Sequence, residues 1–118
     1  MDTPENKLFG TSEFQYRHFT EFSKNHSIVN GELAEKSQIK LMNPMNYISD
    51  NFCTTAKKFR IRHGAIDRDT SLAISAILAV TLEMNGVNVD YDIPWGIPHS
   101  GDYDLDELFA WIDNIVSN

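Results

Sequence analysis

The sequence predicts an α/β fold in which two parallel strands are joined by a crossover helix and followed by a C-terminal helix. Residues 57–64 and 87–93 alternate apolar with polar or charged residues, which is typical of half-buried strands. Residues 72–85 lie between them and form a continuous apolar stretch of helical length, closed by Gly86. A strand, a helix and a second strand in this order indicate parallel strands with a right-handed connection.

Residues 1–50 are rich in Asn, Ser, Lys and Glu, and their widely spaced apolar residues predict a helical lead-in. The spacing of the aromatic residues favours an amphipathic helix over 13–26, with Ser12 as its N-cap. A second short helix is predicted over 33–42. It ends before Pro44, because the residue that precedes a proline disfavours helical geometry.

The last predicted helix begins after Asp104, which has the spacing of a capping box with Glu107. Its apolar face comprises Leu105, Leu108, Phe109, Ile112 and Ile115 or Val116. We interpret residues 1–118 as one domain, with strand, helix, strand and helix over 57–118. Two parallel strands suggest the end of a larger sheet, because parallel sheets are usually extensive and covered on both faces.

Composition and charge exclude several function classes. The 118 residues include 10 Lys and Arg against 17 Asp and Glu, giving a net charge of −7. Clustered basic residues bind phosphate backbones and anionic lipids, so we expect no nucleic-acid partner and no membrane partner. No run approaches the roughly 18 apolar residues that span a bilayer, and the first residues lack the basic and apolar regions of a signal peptide. We expect a soluble chain whose compartment is unknown.

Two candidate catalytic residues follow the predicted strands. In open α/β sheets, sites form beyond the carboxyl ends of the strands, where Asp67 follows the first strand and His99 follows the second. An acid and then a histidine form the second half of the Ser, Asp, His order of α/β-hydrolases. In such a triad the histidine takes a proton from the serine, and the carboxylate orients the imidazole. The alternatives are a helix cap for Asp67 and an ordinary polar loop residue for His99.

Two motifs around these residues resemble a known family. Residues 62–71 read R-H-G-A-I-D-R-D-T-S, and residues 94–104 read P-W-G-I-P-H-S-G-D-Y-D. They resemble the C-terminal part of bacterial tannase-like esterases (subtype B tannases and feruloyl-esterase-like enzymes), a branch of the α/β-hydrolases. The resemblance extends from about residue 5 to the last helix. It implies a partial α/β-hydrolase fold with the last two parallel strands of the sheet, and carboxylic ester hydrolysis as the activity.

The resemblance also implies roles for four residues. Asp67 matches the triad acid, and His99 matches the triad histidine. Asp69 matches an acid that helps to hold the phenolic hydroxyls of a galloyl ring, and Glu5 matches a second hydroxyl-binding acid. The alternative for Asp69 is the N-cap of a helix that begins near Thr70. The alternative for Glu5 is an ordinary exposed glutamate.

The sequence departs from the family pattern in one respect. It contains no G-x-S-x-G segment, so we expect neither the serine nucleophile nor the oxyanion-hole loops in this chain. Because triad residues act together, the chain alone is expected to be inactive. An aromatic or phenolic ester would then be a substrate only of the complete enzyme. The alternative function is a non-catalytic binding or interaction module derived from a hydrolase.

The sequence predicts no cofactor and no metal site. Asp102, Asp104 and Asp106 alternate as in a calcium loop, but Glu107 stands where that loop requires glycine. The other histidines lack metal-ligand spacing and are interpreted as surface or hydrogen-bonded polar residues: His18, His26 and His63.

Two features predict a homodimer. The strand at 58–63 would leave one edge unpaired, and the helix at 72–85 is apolar on both faces. An open strand edge beside apolar surface is a template for another chain, so we expect two copies to join through this strand.

Overall fold

The computed structural model describes residues 17–28, 31–101 and 103–117. Their regular structure consists of four α-helices, two parallel two-stranded sheets and one 3₁₀ turn. This part of the chain divides into two units, one ending at Cys53 and the other beginning at Thr54. The division falls between the two sequence regions distinguished above. The α/β class is confirmed.

The first unit contains a very short parallel sheet. Its strands are β1 (Arg17–His18) and β2 (Glu32–Leu33), and helix α1 (Glu21–His26) connects them. Helix α2 (Lys36–Met42) follows, and a 3₁₀ turn over Pro44–Asn46 comes directly after it. The predicted end of α2 before Pro44 is confirmed.

The predicted helix over 13–26 is confirmed only over its last turns, Glu21–His26. Residues 17 and 18 are extended, and the helix begins only at Glu21. Thr20 is its N-cap, because the Thr20 hydroxyl accepts a hydrogen bond from the Ser23 amide at 3.0 Å. The predicted cap, Ser12, lies outside the described residues. Pairing between β1 and β2 overrides the helical spacing of the aromatic residues, and the pattern of a single segment cannot show such pairing.

The second unit has the predicted order of strand, helix, strand and helix. It consists of β3 (Lys58–Arg62), α3 (Leu72–Met84), β4 (Asn88–Asp92) and α4 (Leu105–Val116). Strands β3 and β4 are parallel and pair over their whole lengths. The predicted crossover is therefore confirmed, with strand ends that differ from the prediction by one or two residues.

Helix α3 is apolar on every side, as predicted. Ala79 and Leu82 are 2% and 1% exposed, so one side is buried. The opposite side exposes Ile74, Ile77, Val80 and Met84, and Leu72 is exposed in the first turn of the helix. Its 13 residues measure about 20 Å at 1.5 Å per residue. In the described ranges, no helix combines the length and the apolarity that crossing a membrane needs.

The capping box predicted at the start of α4 is wrong. Asp104 occupies the N-cap position, but its side chain makes no capping hydrogen bond. Its carboxylate instead accepts hydrogen bonds from Arg60 and Arg62 of β3. Two guanidinium donors are stronger partners for a carboxylate than a backbone amide, so the ion pairs displace the cap.

Candidate functional site

Two loops meet beyond the carboxyl ends of β3 and β4. The acid loop (63–71) follows β3, and the histidine loop (93–104) follows β4. Two backbone hydrogen bonds join them: Ala65 N donates to Pro94 O at 3.0 Å, and Ile66 N donates to Ile97 O at 3.1 Å. The parallel pairing of the strands therefore continues into the loops and places their side chains at one edge of the sheet.

Gly64 allows this close approach. A Cβ atom at position 64 would lie 2.2 Å from the carbonyl oxygen of Ile97 and 2.6 Å from that of Pro98. Both oxygens belong to the backbone, so they cannot turn away as the end of a side chain can. Only glycine fits between the two loops in this arrangement.

Asp67 and His99 are in direct contact. The Nδ1 atom of His99 lies 3.0 Å from the Oδ2 atom of Asp67, within hydrogen-bonding distance. The Asp67 side chain is 7% exposed, whereas that of His99 is 61% exposed. The carboxylate is thus enclosed by the loops, and the imidazole stands at the surface. The sequence predicted this pair, and the structure brings it together.

The acid loop holds the Asp67 carboxylate in its charged form. Its Oδ1 atom accepts hydrogen bonds from the backbone amides of Asp69 at 2.8 Å and Thr70 at 3.1 Å. The pKa of Asp67 is lowered from 3.8 to about 2. The hydrogen bond with His99 is the largest cause, and the hydrogen bond from the Asp69 amide is the next largest. Asp67 is consequently an ionised acceptor for the imidazole at neutral pH.

Asp69 lies beside this pair. One ligand atom each from Asp67, Asp69 and His99 falls within 4.8 Å of the others, so the three groups could hold a metal ion. The sequence analysis assigned these three residues to one site but predicted no metal there. The alternative reading of Asp69 as a helix cap is wrong, because α3 begins at Leu72 with Ser71 as its N-cap.

His63 is a residue of the site that the sequence analysis missed. It is buried rather than at the surface, and its Nε2 atom lies 3.9 Å from Asp67 Oδ2. Position 63 directly follows β3, and the strand alternation gives no sign that this side chain points toward Asp67. Glu5, the second predicted hydroxyl-binding acid, lies outside the described residues.

An acid and a histidine in contact beyond two parallel strands are features of the α/β-hydrolase class of proteins. Comparison with solved structures finds tannases among the similar proteins. The chain is 48% identical to a tannase from Lactobacillus plantarum, covering 97% of this chain and 24% of that one with a TM-score of 0.85. It is 50% identical to a Fusobacterium nucleatum tannase, with coverages of 95% and 25% and a TM-score of 0.80.

A third similar structure is a tannin acyl hydrolase in complex with ethyl gallate, at 48% identity, coverages of 97% and 25%, and a TM-score of 0.84. No family model and no curated protein matched the chain. The chain is thus tannase-like, as its motifs predicted, and it spans about a quarter of the length of each tannase.

Proposed function

We propose that this chain is the acid and histidine portion of a tannase-like carboxylic ester hydrolase. The observation that carries the proposal is the 3.0 Å contact between His99 Nδ1 and Asp67 Oδ2 beyond the two parallel strands. Similarity to tannases over almost the whole chain supports the same reaction class. The serine nucleophile and its oxyanion hole would come from polypeptide that corresponds to the rest of a tannase.

In the proposed reaction, His99 acts as the general base and Asp67 as the group that orients it. Asp67 holds Nδ1, which assigns proton exchange to Nε2. Nε2 takes the proton of the serine hydroxyl as the oxygen attacks the ester carbon, and it returns this proton to the departing alcohol. Nε2 then takes a proton from water as the water oxygen attacks the acyl-serine carbon, and it gives this proton to the serine oxygen as the acid leaves. The negative Asp67 stabilises the imidazolium formed in both steps.

The proposed substrates are esters of aromatic or phenolic acids. Ethyl gallate is bound in one similar structure and 3,4-dihydroxybenzoate in another. An exposed carboxylate beside the catalytic pair can accept hydrogen bonds from neighbouring phenolic hydroxyls, and Asp69 is in that place. We propose the same role for Glu5.

A chimera tests the function. We would replace the matching quarter of the Lactobacillus plantarum tannase with residues 1–118 and measure the hydrolysis of ethyl gallate. The folded chimera is expected to turn over this ester. The 118-residue chain alone is expected to show no hydrolysis above that of its own variant with Asp67→Asn and His99→Ala, because two triad members without a nucleophile give no covalent step.

Two results would contradict the proposal. A folded chimera that binds gallate without cleaving its ester would favour the non-catalytic binding module. Robust hydrolysis by the chain alone, lost with His99→Ala, would show that the chain supplies its own nucleophile.

We also propose that two copies of the chain associate through β3. His63 N donates to Asp92 O, and Lys57 O accepts from Asn88 N, so odd-numbered residues of β3 face β4. Successive peptide groups of a strand point to opposite sides, so those of the even-numbered residues from Lys58 to Arg62 point away from β4. Among the described residues, no strand pairs with this open edge of β3. Asp90 and Asp104 neutralise the two arginines of this strand. Repulsion between the arginines of two copies therefore does not prevent their β3 strands from pairing.

Sedimentation across a concentration series measures this association. Lys58→Pro removes one outward N–H group and leaves the neighbouring bonds to β4, so the dimer is expected to weaken about tenfold or more. Lys36→Ala, at the exposed start of α2, is the control and should not change the dissociation constant. A wild-type chain that stays monomeric at high concentration would refute the proposal.

A further inference from the structure

Four charged side chains form a cluster on the β3 and β4 sheet: Arg60, Arg62, Asp90 and Asp104. Asp104 Oδ2 accepts from Arg60 Nη2 at 2.6 Å and from Arg62 Nε at 3.2 Å. Asp90 also binds both arginines, through Arg60 Nη1 and through Arg62 Nη2 at 2.9 Å. Each carboxylate therefore bridges the same two guanidinium groups.

The two guanidinium groups of the cluster are mostly buried, and Asp90 is its most exposed member, at 34%. The side chains of Arg60 and Arg62 are 10% and 16% exposed, and that of Asp104 is 22% exposed. Burial works against the Arg60 charge, but the hydrogen bond with Asp104 and the charge of Asp90 outweigh it and raise the pKa of the guanidinium. Charge-assisted hydrogen bonds in such surroundings hold their geometry better than exposed ion pairs do.

The position of Asp104 in the chain connects the cluster with the site. Asp104 is the last residue of the histidine loop and lies five residues after His99. The other end of the loop is held by Ile66 N, which donates to Ile97 O at 3.1 Å. His99 therefore lies between two anchors, and both belong to β3 or to the loop that leaves it.

We infer that Asp104 is a positioning residue for His99. Its bonds to Arg60 and Arg62 fasten the far end of the histidine loop to the strand that leads into the acid loop. The loops that carry the imidazole and the Asp67 carboxylate are thus both anchored to β3, and this shared anchor sets the distance between the two side chains. Asp90 uses the same arginines but lies inside β4, whose backbone is already fixed by pairing with β3.

This inference rests on the proposed function for its role in catalysis, and the comparison of two isosteric variants tests it. Asp104→Asn and Asp90→Asn each remove one negative charge from the same two arginines. Both are expected to lower the unfolding temperature to a similar extent. Only Asp104→Asn releases the end of the histidine loop, so only this variant should disturb the pair of His99 and Asp67.

The first readout is the proton resonance of the His99 Nδ1 atom in the 118-residue chain, identified by its loss in His99→Ala. The resonance is expected to be shifted to low field in the wild type and in Asp90→Asn, and to broaden or disappear in Asp104→Asn. An unchanged resonance in folded Asp104→Asn would overturn the inference. This measurement does not need activity, so it separates the inference from the proposed function.

The second readout is kinetic and uses the chimera with ethyl gallate. Asp104→Asn is expected to lower kcat about tenfold or more with KM within about twofold, because a displaced base affects the reaction more than binding. Asp90→Asn should keep kcat within about twofold of the unmodified chimera. Equal losses in both variants would overturn the inference, whereas an inert unmodified chimera would refute the proposed function alone.

A conservative variant covers the case in which Asp104→Asn does not fold. Asp104→Glu keeps the charge and can still reach the arginines. It is expected to fold and to restore the His99 resonance. A folded Asp104→Glu variant that retains its ion pairs but lacks the resonance would also count against the inference.

Discussion

Replacing His99 by alanine in the tannase chimera is expected to lower kcat/KM for ethyl gallate about 10⁴-fold or more, because the serine then loses its general base. Asp67→Asn should cost about 10⁴-fold as well, since an amide in place of the carboxylate favours the wrong imidazole tautomer and cannot stabilise the imidazolium. The double variant should be hardly slower than His99→Ala, because the two residues act as one unit.

The matched control for the first substitution is His26→Ala. His26 is exposed in α1, where its Nδ1 atom lies 2.8 Å from Phe22 O and its ring stacks on that of Phe22. Loss of this imidazole should leave kcat/KM within about twofold. If His99→Ala kept more than about a tenth of the activity, or if the effects of His99→Ala and Asp67→Asn multiplied, the assignment of a triad would be wrong.

The strands and helices of the second unit were predictable because each carries its own signal. The sequence of β3 alternates apolar with basic residues, and α3 is a long apolar run closed by Gly86. Their parallel pairing is favoured by the order of strand, helix and strand, because a helix between two strands can carry the chain back to the same end of the sheet. The contact between Asp67 and His99 was predictable for the same reason, since the carboxyl ends of adjacent parallel strands share one edge.

The errors arose where long-range pairing decides the local structure. Arg17 and His18 pair with residues 32 and 33, and this contact removed the first turns of a predicted helix. The Asp104 side chain accepts hydrogen bonds from two arginines more than 40 residues earlier in the chain instead of capping α4. Local spacing carries no record of partners so distant in sequence.

Gly64→Ala is expected to separate Asp67 from His99 without replacing either residue. The new Cβ atom must move from 2.2 Å to beyond about 3.2 Å from Ile97 O, so the histidine loop has to shift by about 1 Å. A shift of that size in a catalytic group can lower the rate about 10²-fold. We expect such a loss of kcat/KM in the chimera, together with about 1–3 kcal/mol of lost unfolding free energy.

Gly101→Ala separates this steric effect from the general effect of adding a methyl group to the same loop. A Cβ atom at position 101 meets no atom within 4 Å, and its φ is outside the positive range, so alanine should be accepted without strain. Kinetics of the two chimeras and thermal unfolding of the two 118-residue variants measure the difference. Equal behaviour of Gly64→Ala and Gly101→Ala would mean that the loops can part without loss, and that their close packing does not position His99. If only Gly64→Ala lost activity and stability, the contact between Asp67 and His99 would require a residue without a side chain at position 64.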